Sequence, residues 1–234
     1  MSQTFSLVDS LSLNDLHVFL SRAGRVEDGS VRLIAGSGVL AVYVGVLFPV
    51  GLLDESPTVL GLRTFALTDD ASFDAVVPMR SLMERIVRLQ GQNPEPDAPV
   101  TVGLPIQVNT ATWAAISPPR GGWHALPQAD AAMIERTARA GIEEVAEAVP
   151  TGMGEQIVHR VRSEVWGRGI PGLEYVPAGA AFAAYSLGFL GTDGDAQSGG
   201  RVASVSLFET GPWTRLSTPR GHTLVRRRGW TLQR

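Results

Sequence analysis

Apolar positions along the chain switch period several times, and each switch marks an element. Leu13, Leu16, Leu20 and Ala23 recur at helical spacing, with Ser12 and Asp15 at capping-box separation before them and Gly24 after. This spacing predicts a short first helix. Residues 30–67 read instead as strands: residues 31–34, a Gly36-Ser37-Gly38 turn, residues 39–48 and residues 58–67. The valine-rich second strand is apolar on both faces, which suits a central strand covered on two sides. Together the three suggest a β-meander.

Helical spacing returns at Pro78, a residue suited to a first helical turn. Met79, Leu82, Met83, Ile86 and Leu89 form the stripe, and Gly91 stops it. A polar, proline-rich linker follows at residues 91–99, then an extended segment at 100–108 whose prolines favour a sheet edge. Residues 117–124 read as a loop. Helices are predicted over 128–149, 154–166 and 177–190; in the last, Ala180, Ala184 and Gly188 lie four apart and permit close approach by another element. Strands are predicted again at 202–208, 213–217 and 222–227, with turns at Gly211-Pro212 and 219–221. The order strands, helices, strands gives an α+β fold, with antiparallel β-meanders packed against a helical middle segment. The predicted organisation is an α+β core over 1–190, a flexible linker or loop over 191–200, and a C-terminal β-meander over 201–234 packed on the core as one domain.

Composition narrows the chemistry. The 234 residues are 44% apolar and 18% charged, a globular balance. The longest apolar run, residues 39–50, is too short to span a bilayer, and the first residues carry neither an early basic residue nor a cleavage pattern. These features place the chain in the cytoplasm, without a membrane partner. There is no cysteine and no lysine, because all twenty basic residues are arginine. Thiolate nucleophiles, thiolate metal sites, Schiff bases and a P-loop lysine are thereby excluded. Net charge is -3, unevenly placed: residues 1–200 hold 13 Arg against 22 acids, whereas residues 201–234 hold 7 Arg against Glu209 alone.

Several groups of residues carry candidate chemistry. Gly36-x-Gly38-x-x-Ala41 matches a dinucleotide fingerprint on paper, with Asp54 or Glu55 near the spacing of a ribose contact. That chemistry needs a helix after the glycines. Residues 39–48 are a poor helix, so a hairpin turn is the better account. Ser117, Arg120, Trp123 and His124 form the densest polar and aromatic cluster, in a loop with two prolines and two glycines. There an arginine can clamp an oxyanion, a tryptophan can supply a wall and a histidine can move a proton. The bland alternative is an ordered surface loop whose tryptophan plugs the core, and it is favoured. Residues 151–154 precede a helix and can present free amides, although such stretches more often join two helices. Glu143, Glu144, Glu147 and His159 lack metal-ligand spacing, so no metal site is predicted. No G-x-S-x-G elbow anchors a hydrolase.

Arg215, Arg220, Arg226, Arg227 and Arg228 make the C-terminal hairpins basic, with Trp213 and Trp230 interleaved. Docking of this tail on the acidic remainder, in the same chain or a second copy, is ranked first. A charge-guarded edge strand comes second and nucleic acid third, since overall acidity repels phosphate. The leading functional reading is a non-enzymatic binding or assembly protein, able to form a homo-oligomer, with an arginine-lined contact for a small anion or a protein. The alternative is an enzyme acting on a small carboxylated or phosphorylated substrate through Arg120 and His124. No cofactor is implied by either.

Overall fold

The computed structural model describes residues 3–51, 54–92, 95–109, 111–115, 117–149, 154–191 and 203–226. It is α+β, with antiparallel sheets and, among the described residues, five α-helices. The chain divides into two units, one from residues 1–45 and 62–116 and the other from residues 46–61 and 117–234.

In the first unit, β1 (Thr4–Leu7) pairs antiparallel with β6 (Val100–Gly103). β2 (Ser30–Gly36) lies between β5 (Phe73–Pro78) and β3 (Val39–Leu47), antiparallel to both. The turn joining β2 to β3 has positive φ at Ser37 and Gly38, 53° and 73°. That is the left-handed pair of a two-residue hairpin, and it settles the glycine motif as a turn with a strand after it. Alternation on β2 is strict: Val31, Leu33 and Ala35 are buried and their neighbours are not. Register carries the burial across the sheet, with Val31 between Val77 and Val44, and Leu33 between Ala75 and Val42.

Two helices supply the rest of this core. α1 (Ser10–Val26) buries Leu13, Leu16, Phe19, Leu20 and Ala23, and α2 (Met79–Gln90) buries Met79, Leu82 and Ile86. They run antiparallel: Gln90 donates to Asn14 at 2.7 Å at one end, and Ser21 meets the Met83 sulfur at 3.9 Å towards the other. The cap of α1 falls one turn earlier than the sequence spacing suggested. Asp9 accepts from the Ser12 amide at 2.7 Å, so Ser12 lies inside the helix. On the outer face of the sheet, Arg32 holds Asp74 with two hydrogen bonds, 2.8 and 2.6 Å, and donates a third to the Ala114 carbonyl at 2.7 Å.

In the second unit, β7 (His124–Asp130), β10 (Ser204–Thr210), β11 (Trp213–Thr218) and β12 (Gly221–Arg226) form an antiparallel sheet in the order β12-β11-β10-β7. Gly211, at φ 50°, with Pro212 makes the tight turn between β10 and β11. The helix expected from residue 128 begins at Ala131 instead. Asp130 caps it, accepting from the Ala132 amide at 2.9 Å, and residues 128–130 belong to β7. α3 (Ala131–Ala148), α4 (Glu155–Gly167) and α5 (Ala178–Ser186) are the helices of this unit, with a small hairpin of β8 (Gly169–Ile170) and β9 (Leu173–Pro177) between the last two. α5 is built of small residues and is buried almost all round, meeting α3, α4 and β12. At its Gly179 an added Cβ would stand 3.1 Å from the Trp166 carbonyl oxygen. Trp166 is 2% exposed, stacks on Phe182 with centroids 4.4 Å apart, and lies where Gly141 has no side chain. Apart from Gly191, the stretch at 191–200 lies outside the described residues.

Candidate functional site

Three clusters in the second unit carry polar chemistry. The first lies on the outer face of its sheet. Alternation along β11 turns Thr214 and Leu216 inward and leaves Arg215 and Ser217 on the opposite face. Register then sets Phe208 opposite Arg215 and His222 opposite Ser217. The Arg215 guanidinium carbon sits 4.5 Å from the Phe208 ring centroid and 4.6 Å from that of Trp123. Trp123 is held in place by its own loop, because its indole Nε1 donates to the Pro119 carbonyl at 3.1 Å. The Arg215 Nε is buried and finds no acceptor among the described residues. Burial lowers the arginine's pKa. His222 shares Nδ1 with the Ser217 hydroxyl at 2.9 Å. Its pKa is depressed, first by burial and then by the charge of Arg215, which keeps the imidazole neutral at pH 7.

The structure therefore joins members of both sequence-derived groups: Trp123 from the loop and Arg215 from the basic hairpins. The other candidates lie apart from this contact. Ser117 and Arg120 are exposed; His124 is exposed at the start of β7, opposite Glu209. Among the described residues no hydrogen bond or ion pair links Arg120 to His124. The Arg220 amide donates to the Thr218 hydroxyl at 3.1 Å, and Arg226 ends β12 with an exposed side chain. Arg227 and Arg228 lie outside the described residues, as do Trp230 and residues 151–153.

The second cluster brings together two residues that the sequence offered separately, Asp54 and His159. His159 on α4 meets Asp54 through Nε2 at 2.6 Å. Asp54 also accepts from the Ser56 hydroxyl (2.6 Å), the Ser56 amide (2.9 Å) and the Val50 amide (2.8 Å). Burial opposes the Asp54 charge, yet these donors outweigh it and hold the carboxyl well below the usual carboxylate range. Ser163 approaches the same ring nitrogen of His159 at 3.5 Å and bonds Ser56 at 2.5 Å. A Ser-His-Asp relay needs the serine and the carboxylate on different imidazole nitrogens, and here both face Nε2. The cluster instead ties the segment before β4 (Thr58–Ala66) to α4 within this unit.

The third feature is an open cavity of about 510 Å³ lined by Met133, Arg136, Gly141, Glu144, Val165 and Arg168 among others. Its Arg168 is already engaged, donating to Glu144 at 2.7 and 2.9 Å and to Glu164 at 3.1 Å. Among the described residues no three histidine, aspartate or glutamate side chains gather as metal ligands, and no helix is long and apolar enough to cross a membrane.

The sequence-to-register step could have found part of the first cluster. Once Gly211-Pro212 is taken as a two-residue turn, Phe208 must face Arg215. Nothing in the sequence signals that Trp123 arrives over the same guanidinium.

Residues 1–105 match the family model of a domain of unknown function, DUF8010, and residues 118–230 match that of another, DUF8185. No curated protein matches the sequence. Among solved structures, the chain is similar to the DNA polymerase sliding clamp from Caulobacter crescentus, with a TM-score of 0.50 and 12% identity over 99% of this chain and 67% of that one. A second structure from that organism, described as pol III beta, gives a TM-score of 0.51 and 13% identity over 97% of this chain and 65% of that one. This chain thus spans about two thirds of the length of the clamps it matches. At such identities the likeness is one of architecture, and in architecture the chain is similar to the DNA polymerase sliding clamps.

Proposed function

We propose that this chain is a non-enzymatic assembly protein that associates with copies of itself and is held on DNA by the helical layer of its first unit. The observation that carries the reading is the likeness in fold to sliding clamps along 97–99% of the chain. Charge supports it. Within the first unit, α1 and α2 hold Arg22, Arg25, Arg80, Arg85 and Arg88 against Asp15 and Glu84, a balance of +3. The remainder of that unit holds Arg32 and Arg63 against eight acids, a balance of -6. The acidic overall composition therefore does not describe every surface, and repulsion of phosphate by net acidity does not extend to these helices. The three helices of the second unit have no such excess, with four arginines against six glutamates. An edge for self-association is offered by β7, which among the described residues pairs with β10 on one side and ends its sheet on the other.

Two measurements test this reading together. Light scattering after size exclusion should give an assembly mass above one chain. A retention assay should show the protein kept on closed circular DNA and released when the circle is cut, with retention weakened at least several-fold by Arg25→Gln with Arg88→Gln. A monomer that binds neither circular nor linear DNA at low salt overturns the proposal.

A further inference from the structure

We propose that Arg215, with Ser217 and His222 beside it, forms a binding site for the carboxylate of a small ligand, walled by Trp123 and Phe208. The guanidinium of Arg215 is the centre of the site. It carries five N–H donors and a permanent charge. In this structure it lies against two aromatic rings, and among the described residues its buried Nε finds no acceptor and no carboxylate pairs with it. Arg32 and Arg63, whose side chains are also largely withdrawn from solvent, each hold an acid: Arg32 has Asp74 and Arg63 has Asp15. The rings return part of the lost hydration through cation–π attraction, and they leave the buried Nε–H unanswered.

The surroundings select the class of ligand. Ser217 lies two residues along β11 on the same face, and His222 stands opposite it, so a hydroxyl and an imidazole accompany the guanidinium. His222 contributes no charge, because burial and Arg215 keep it neutral. One cation matches one anion of unit charge, and a carboxylate meets an arginine fork with two parallel hydrogen bonds. Inorganic phosphate, a mixture of mono- and dianion at pH 7, would call for more positive charge than this cluster holds. The ring walls favour a carboxylate attached to an apolar or planar body. The ligand is either a free small acid or the side chain or end of a peptide, and the chemistry at Arg215 is the same for both. The site holds or fails independently of the oligomeric state and of DNA retention.

The test follows the Arg215 Nε–H resonance of the full chain labelled with ¹⁵N-arginine, assigned by its disappearance in Arg215→Gln. The probes are benzoate, a tripeptide with a central glutamate and blocked ends, and inorganic phosphate. A saturable shift with benzoate alone supports the site and points to a free acid; one with both carboxylates supports it and admits a peptide source. Arg226→Gln, on the neighbouring strand, should leave the titration unchanged, and Arg215→Lys, which keeps the charge and loses the fork, should weaken binding about tenfold. Should Arg215→Gln fail to fold, the lysine variant serves for both assignment and loss. The proposal is overturned if no carboxylate shifts the resonance up to ~50 mM, where a millimolar site is saturated. Tighter binding of phosphate than of either carboxylate overturns it equally, as does undiminished binding by the lysine variant.

Discussion

Two glycines inside helices should respond to the same substitution with opposite signs. Gly24 lies in α1, and among the described residues an alanine Cβ there would meet the Met79 sulfur at 3.6 Å, an ordinary contact with a flexible side chain. Gly141 lies in α3, and a Cβ there would fall 2.3 Å from Trp166 Cζ3 and 2.6 Å from Cη2. Carbon atoms settle at roughly 3.5–4.0 Å, so the indole must retreat by about 1 Å or more. Its path is blocked, because the ring is stacked on Phe182 and its residue is pressed by Gly179 of α5. Replacing a helical glycine by alanine gains about 1 kcal/mol of intrinsic propensity. Overpacking a filled core costs about 1–3 kcal/mol, and displacement of a buried tryptophan belongs at the upper end. Gly24→Ala should therefore raise stability by up to about 1 kcal/mol. Gly141→Ala should lower it by about 1–2 kcal/mol, or roughly 2–8 °C in Tm for a chain of this size. Thermal and urea unfolding followed by circular dichroism read both. Trp166→Phe removes the colliding ring atoms, so the Gly141→Ala cost should shrink by about 1 kcal/mol in that background. A Gly141→Ala protein at least as stable as wild type would refute the collision and the close approach of α3, α4 and α5 with it.

Stability should fall with acid in two steps. His222 has a lowered pKa in the fold, so its contribution is present above its ordinary value near 6.5 and is lost as pH falls below it. Asp54 has a lowered pKa too, so its contribution is present above the ordinary carboxylate value and is lost as pH falls below about 4. Urea midpoints measured against pH should lose the first step in His222→Asn and the second in Asp54→Asn; unchanged profiles would remove both assignments. Thr214 and Thr223 bury hydroxyls that find no partner among the described residues, and an unsatisfied hydroxyl costs about 1–3 kcal/mol. Thr214→Val and Thr223→Val should thus each stabilise by about 1 kcal/mol, whereas a comparable loss would mean that the hydroxyls hold a buried water. Arg32→Ala should destabilise by about 1–3 kcal/mol, and Arg32→Lys should recover less than half, because the two-pronged bond to Asp74 needs the guanidinium fork; full recovery by lysine would show that charge alone matters there.

Elements with strong periodicity or punctuation were legible in the sequence. The Ser37-Gly38 hairpin, the helix after Pro78 and the meander from β10 to β12 fall where the residues put them, while the small-residue helix starts where expected and ends at Ser186, short of Gly188 and Leu190. The losses have a common cause in shortness or in competition. β1 has four residues and β8 two, too few for an alternation to register. β5 ends in Pro78, which reads more strongly as a helix start than as a strand end. β7 carries Pro127 and small residues, and its last three positions merge into the polar pattern of α3 until Asp130 is recognised as the cap. The site was legible only as fragments. Trp123 and Arg215, and likewise Asp54 and His159, were each conspicuous alone, and only tertiary structure brings each pair together across about a hundred residues.

The way the chain crosses between its two units has a consequence for synthesis. Residues 46–61 belong to the second unit but emerge from the ribosome long before residues 117–234, with which they are completed. Val46, Leu47, Val59 and Leu60, each at most 5% exposed in the finished protein, must wait uncovered while some sixty further residues are translated. A chain stopped at residue 116 would carry this bare apolar stretch permanently, and a chain begun at residue 117 would lack Asp54 and Ser56 as partners for α4. Neither half can be released by a single cut, so the pair should become soluble only when both fragments are made in the same cell.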